Sequence, residues 1–92
     1  MDSVLQQNKE CYVCHTTIGL NDHHIIYGSA NRKVSEKYGL KVWLCREHHT
    51  GNTGVHFNKD LDTRLKQLAQ TYYEEHYGDR DAFRKDFGRS YL

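Results

Sequence analysis

Two pairs of soft metal ligands, Cys11-x-x-Cys14 and Cys45-x-x-His48, constrain this chain more than any other feature. A two-residue gap lets one tight turn aim two side chains at a single ion, and tetrahedral zinc takes such Cys and His donors. The reading is a Cys3His zinc set of Cys11, Cys14, Cys45 and His48, with the adjacent His49 as the alternative fourth ligand. Such a staple answers a shortage. A chain of 92 residues, of which 37% are hydrophobic, has a modest core to fold around. The opening residues are polar and no apolar run reaches signal-peptide or membrane-spanning length, so a cytoplasmic protein with no membrane partner is expected. Thiols stay reduced there, which favours metal ligation over a disulfide.

The chain has no proline and no repeat, so one domain over 1–92 is expected. Its parts are an N-terminal tail (1–10), a knuckle and strand part (11–58) and a helical part (59–92). Residues 22–27 and 41–44 are rich in β-branched or aromatic side chains and read as two strands of a small hairpin. The connection, 28–39, is long for a hairpin loop and has room for one helical turn at 35–38. From Asp60 the period changes: Leu61, Leu65, Leu68, Tyr72 and Tyr73 make one apolar stripe, so a helix capped by Asp60 and ended by a left-handed Gly78 is expected. A shorter helix, 80–87, presents Phe83 and Phe87 and stops at Gly88. The fold class is therefore α+β.

Six of the seven histidines fall between Cys11 and His56. With one used at the zinc, His23, His24, His49 and His56 exceed what so small a core needs, and a second site is implied. Neighbouring side chains of a strand point to opposite faces, so His23 and His24 divide the labour, one toward a divalent metal and one toward a proton. By the same divergence His48 and His49 face different ways, and His56 adds a ligand from the helix side. His15 follows the knuckle, and His76 reads as an ordinary helix residue.

Net charge is only +1, from thirteen Lys and Arg against twelve Asp and Glu, so attraction to a polyanion needs local clustering. Arg32, Lys33, Lys37, Lys41 and Arg46, opposed by Glu36 alone, are the candidate nucleic-acid-binding cluster.

The Cys-x-x-Cys knuckle, Asp22-His23-His24-Ile25, and Trp43-Leu44-Cys45 followed by His48-His49 resemble the zinc-supported HNH endonucleases, nearest to small bacteriophage or mobile-element members. The resemblance covers about half the chain. It implies a ββα-metal unit with a C-terminal helical extension, acting on DNA phosphodiester bonds. By this resemblance His24 is the general base that activates water, and His23 and His49 hold catalytic Mg²⁺ or Mn²⁺, to which the position of His56 adds a further ligand. Two departures stand out: His48 replaces a common Cys, and Leu40 stands where the family tends to carry Asn. Asn31 is the candidate to orient His24 instead, or a backbone carbonyl does so. The rival expectation is a catalytically inactive module of the same scaffold that binds nucleic acid or a phage or host protein.

Overall fold

A computed structural model describes residues 2–52 and 54–92. Strand β1 (Leu20–His24) and strand β2 (Lys41–Cys45) pair antiparallel, with Leu20 opposite Cys45, His23 opposite Val42 and His24 opposite Lys41. Between them lies α1 (Ser29–Tyr38), and four helical residues, α2 (Arg46–His49), follow β2 directly. Helices α3 (Lys59–His76) and α4 (Arg80–Phe87) complete the chain. The result is a small α+β fold. No helix among the described residues is long and apolar enough to cross a membrane.

The connection between the strands differs from the expected single turn: it is a ten-residue helix. Gly39, at φ 71°, ends it in the left-handed conformation, and the buried Ser35 hydroxyl donates to the Ile26 carbonyl at 2.7 Å, fixing the helix on the strand exit. Gly39 has a second duty, because a side chain there would meet the Asp2 backbone oxygen at 2.5 Å. The close approach lets residues 3–6 lie along β2. The Val4 amide donates to the Gly39 carbonyl at 3.0 Å, the Ser3 hydroxyl donates to the Lys41 carbonyl, and the Trp43 amide donates to the Gln6 side-chain oxygen at 2.8 Å. The expected N-terminal tail is thus partly a cover for the open edge of β2, whose unpaired backbone groups need partners.

Helix α3 starts two residues earlier than Asp60 suggested, because the Asn58 side chain takes the Leu61 amide at 3.1 Å. Leu65, Ala69 and Tyr73 form its buried stripe. Gly78 is not the expected left-handed terminator; a side chain there would meet the Ala82 Cβ at 2.9 Å, so its role is the close turn into α4. Asp79 caps α4 by accepting the Ala82 amide at 2.8 Å, and Gly88, at φ 88°, ends it. Phe83 and Phe87 enter the core with ring centroids 4.7 Å apart and Phe83 is 5.3 Å from Tyr73. Asp86 accepts from Tyr73 at 2.6 Å and Tyr38 at 3.0 Å, tying α4 to α3 and α1. Around this aromatic centre Ile25, Ile26, Leu40, Val42 and Leu44 seal the strand side.

Candidate metal centres

The knuckle at Cys11 closes because the His15 amide donates to the Cys11 carbonyl at 2.9 Å, with His15 itself at φ 65°. His15 therefore serves the turn. At the other half-site, Cys45 ends β2 and His48 sits on the single turn that follows, so Cys45 Sγ and His48 Nδ1 lie 3.3 Å apart. Cys11 Sγ is 3.6 Å from His48 Nδ1, and Cys14 Sγ is 3.8 Å from Cys45 Sγ. All four donor atoms fall within 4.8 Å of one another, close enough to hold a metal ion. A tetrahedral ion with metal–sulfur bonds near 2.3 Å has edges of about 3.5 to 3.8 Å between donors, and these separations match. Bonded sulfurs would sit at about 2.05 Å, so the cysteines are free thiols.

The cluster shifts two of its own thiols in opposite directions. Burial pushes the Cys11 thiol up, but the backbone amides of Cys14, Cys45 and Val13, with the His48 ring, outweigh it and bring the thiol down to about 6. The Thr16 amide favours the Cys14 thiolate, yet desolvation and the Cys11 and Cys45 sulfurs raise it. Negative charge on neighbouring sulfurs is disfavoured without a cation among them.

One residue after His48, His49 points the other way. Its ring centroid lies 5.1 Å from that of His23 and 5.1 Å from that of His56, while His23 and His56 are 5.7 Å apart. Donor nitrogens of the three lie within 4.8 Å of one another, a second group able to hold an ion. His56 reaches it because residues 54–57 fold back on α2: the Val55 amide donates to the His48 carbonyl at 2.9 Å, and Gly54 packs where a Cβ would meet the Glu47 oxygen at 2.8 Å. His23 is 3% exposed, and its Nε2 has no hydrogen-bond partner among the described residues. Burial first, then the His49, His56 and His24 rings and Lys66, push its pKa down to about 3; burial and His56 also lower His49. These two imidazoles are neutral near pH 7, with lone pairs available for an ion.

His24 leaves the strand on the opposite face. Its Nε2 lies 3.2 Å from Glu36 Oε2, and Lys41 Nζ bridges Glu36 at 2.8 Å and Asp22 at 3.0 Å. Asp22, His24 and Glu36 form a third close group, but the Lys41 ammonium already supplies its cation. Two expectations are corrected here. Lys41 is not a free phosphate ligand: it is buried, and both carboxylates neutralise it. Nor is Asn31 the residue set against His24: with 29–38 wound into a helix, Glu36 is the residue that faces it. Lys41, then His24, hold the Glu36 carboxyl down to about 2 against a desolvation that raises it.

His24 still borders the histidine trio, for one small cleft is lined by Asp22, His23, His24, Tyr27, Arg32, His49 and His56. Arg32 and Lys33 flank His24 on its outer side. Lys37 stands over the Tyr38 ring at 5.3 Å, and Arg46 is exposed at the start of α2, outside the cleft lining. Glu36 and Tyr27 were missed as site residues; only a helical reading of 29–38 would have shown Glu36 one turn from Arg32 on a shared face. No family model, no curated protein and no solved structure matches this chain.

Proposed function

We propose that the chain is a metal-dependent nuclease of the HNH type, hydrolysing DNA phosphodiester bonds, with a structural zinc held by Cys11, Cys14, Cys45 and His48. The observation that carries this reading is the buried, unpartnered Nε2 of His23 beside His49 and His56, with His24 on the rim of the same cleft. A buried polar nitrogen without a partner costs free energy that a ligand restores. Three imidazoles without a carboxylate ligand suit Mn²⁺ or a heavier divalent ion over Mg²⁺, which prefers oxygen donors. When bound, such an ion polarises a phosphoryl oxygen and offsets the charge that develops there.

The chain's own groups supply the rest. Glu36, kept anionic by Lys41, can only accept, so the His24 proton belongs on Nε2 and Nδ1 keeps the lone pair. Nδ1 is then the atom that takes the proton from an attacking water, while the carboxylate steadies the imidazolium that results. Arg32, lining both the cleft and the outer side of His24, is placed to hold a phosphate.

A second reading, a non-catalytic zinc module that binds nucleic acid or a host protein, draws support from the net charge of only +1 and from the absence of Asn31 at His24. Plasmid nicking separates the two. Zinc-loaded wild type with Mn²⁺ should nick supercoiled DNA. His24→Ala should abolish nicking while zinc content and the folded circular-dichroism spectrum persist. Absence of nicking by wild type with Mn²⁺, Mg²⁺, Ni²⁺ or added Zn²⁺ would leave the binding module as the better account.

A further inference from the structure

The C-terminal half builds a groove against the histidine trio. Tyr27, Lys59, Lys66, Arg89 and Tyr91 line it, together with His56, a member of the trio, and Asp62. Tyr27 is common to this groove and to the cleft that holds His23 and His24, so the two are continuous. We infer that this groove is a second phosphate track, which carries the nucleic-acid backbone away from the trio on the side opposite Arg32. The inference rests on the nucleic-acid part of the proposed function.

Charge comes first. Three cations face one carboxylate, a local excess of two in a chain whose total is +1. One oxygen of the Asp62 carboxylate is committed: Lys66 Nζ lies 2.8 Å from Oδ2, and the Tyr27 hydroxyl donates to the same atom at 3.3 Å, while Oδ1 is buried without a hydrogen-bond partner among the described residues. Lys59 and Arg89 are exposed and have no ion pair among the described residues, so their charge faces solvent.

Order comes second. Lys66 Nζ is held between rings, 4.4 Å from the Tyr27 centroid and 5.2 Å from that of Tyr91, and the Arg89 guanidinium lies 4.9 Å from Tyr91. Cations fixed on aromatic faces lose less side-chain freedom when a phosphate arrives. The C-terminal strap is itself anchored, since the Tyr91 amide donates to Gln70 at 2.6 Å and Gln67 donates to the Tyr91 carbonyl at 3.1 Å. A cationic groove edged by tyrosines is the kind of surface that follows a strand without reading its bases.

The test is binding by the full zinc-loaded chain carrying His24→Ala, which removes cutting from the measurement. Fluorescence anisotropy with a labelled DNA of about 20 nucleotides, single-stranded and duplex, is followed over a KCl series. Adding Lys59→Ala and Arg89→Ala should make the plot of log K against log salt shallower by about 1.4 for the single strand or about 1.8 for the duplex, as for two lost phosphate contacts. Lys85→Ala, an equal charge on α4 outside the groove, should leave the slope as it was. Equal slopes for the double variant and its parent, or a drop as large with Lys85→Ala, would overturn the inference, as would no binding at low salt. Nicking by wild type reports separately on catalysis. Intact nicking with unchanged slopes refutes the groove alone, and a fallen slope without nicking refutes the enzyme alone.

Discussion

Cys45→Ser is the perturbation that bears most directly on how this fold is held. The Cys3His donors join residues 31 positions apart at Cys14 and Cys45 and 37 apart at Cys11 and His48. Closing a chain loop of that length by a cross-link removes denatured-state entropy worth about 4 kcal/mol at 25 °C. A domain of this size holds roughly 5 to 14 kcal/mol in all. Loss of the clamp therefore takes more than a quarter of the total. Serine adds a smaller cost of about 1 kcal/mol, because Cys45 is buried and a hydroxyl there has poorer surroundings. The assay is urea unfolding followed by Trp43 fluorescence and far-ultraviolet circular dichroism, with zinc-loaded wild type, wild type plus chelator, and Cys45→Ser side by side. With a slope near 2 kcal/mol per molar urea, the midpoint should fall by about 2 M on chelation and by about 2.5 M in the variant. A variant that melts within about 0.3 M of loaded wild type, or a wild type indifferent to chelator, would refute the reasoning.

Three further outcomes follow from the same structure. Phe83, fully buried between Tyr73 and Phe87, should lose about 3 to 5 kcal/mol on truncation to Ala, read as a lower urea midpoint at unchanged slope. His23 is neutral in the fold down to about pH 3, whereas the unfolded chain takes up this proton below about 6.5; stability contributed by the neutral ring is therefore present above 6.5 and lost as pH falls toward 3. Between pH 7 and pH 5, without added Mn²⁺, wild type should lose about 2 kcal/mol more than His23→Gln by urea unfolding, and equal losses would contradict the burial argument. Nicking should run about tenfold faster with Mn²⁺ than with Mg²⁺ at equal concentration, and equal rates would argue for oxygen ligands at the trio.

The donor atoms were legible in the sequence because their chemistry is local: two-residue gaps mark the Cys and His pairs, and strand alternation sends His23 and His24 to different faces. What escaped depends on partners distant in sequence. Residues 29–38 are polar enough to pass for a loop, and their helix is secured by a hydroxyl on the Ile26 carbonyl, by Gly39 and by only two apolar side chains, Val34 and Tyr38, packed on the core. Lys41 looked like one more surface cation; its burial depends on the strand register, which sets it beside Asp22, and on α1, which brings Glu36. The cover that residues 3–6 lay over β2 has no compositional mark at all.

His48 and His49 share a peptide bond and serve different clusters. Neither imidazole can be repositioned without disturbing its neighbour, so occupancy of one centre and affinity of the other are thermodynamically reciprocal. Stripping the sulfur-rich centre loosens the turn that aims His49, and filling the trio steadies the turn that aims His48. Titration with metal should accordingly proceed as a coupled pair of events, and an ion at the trio should leave sooner once the Cys3His centre has been stripped.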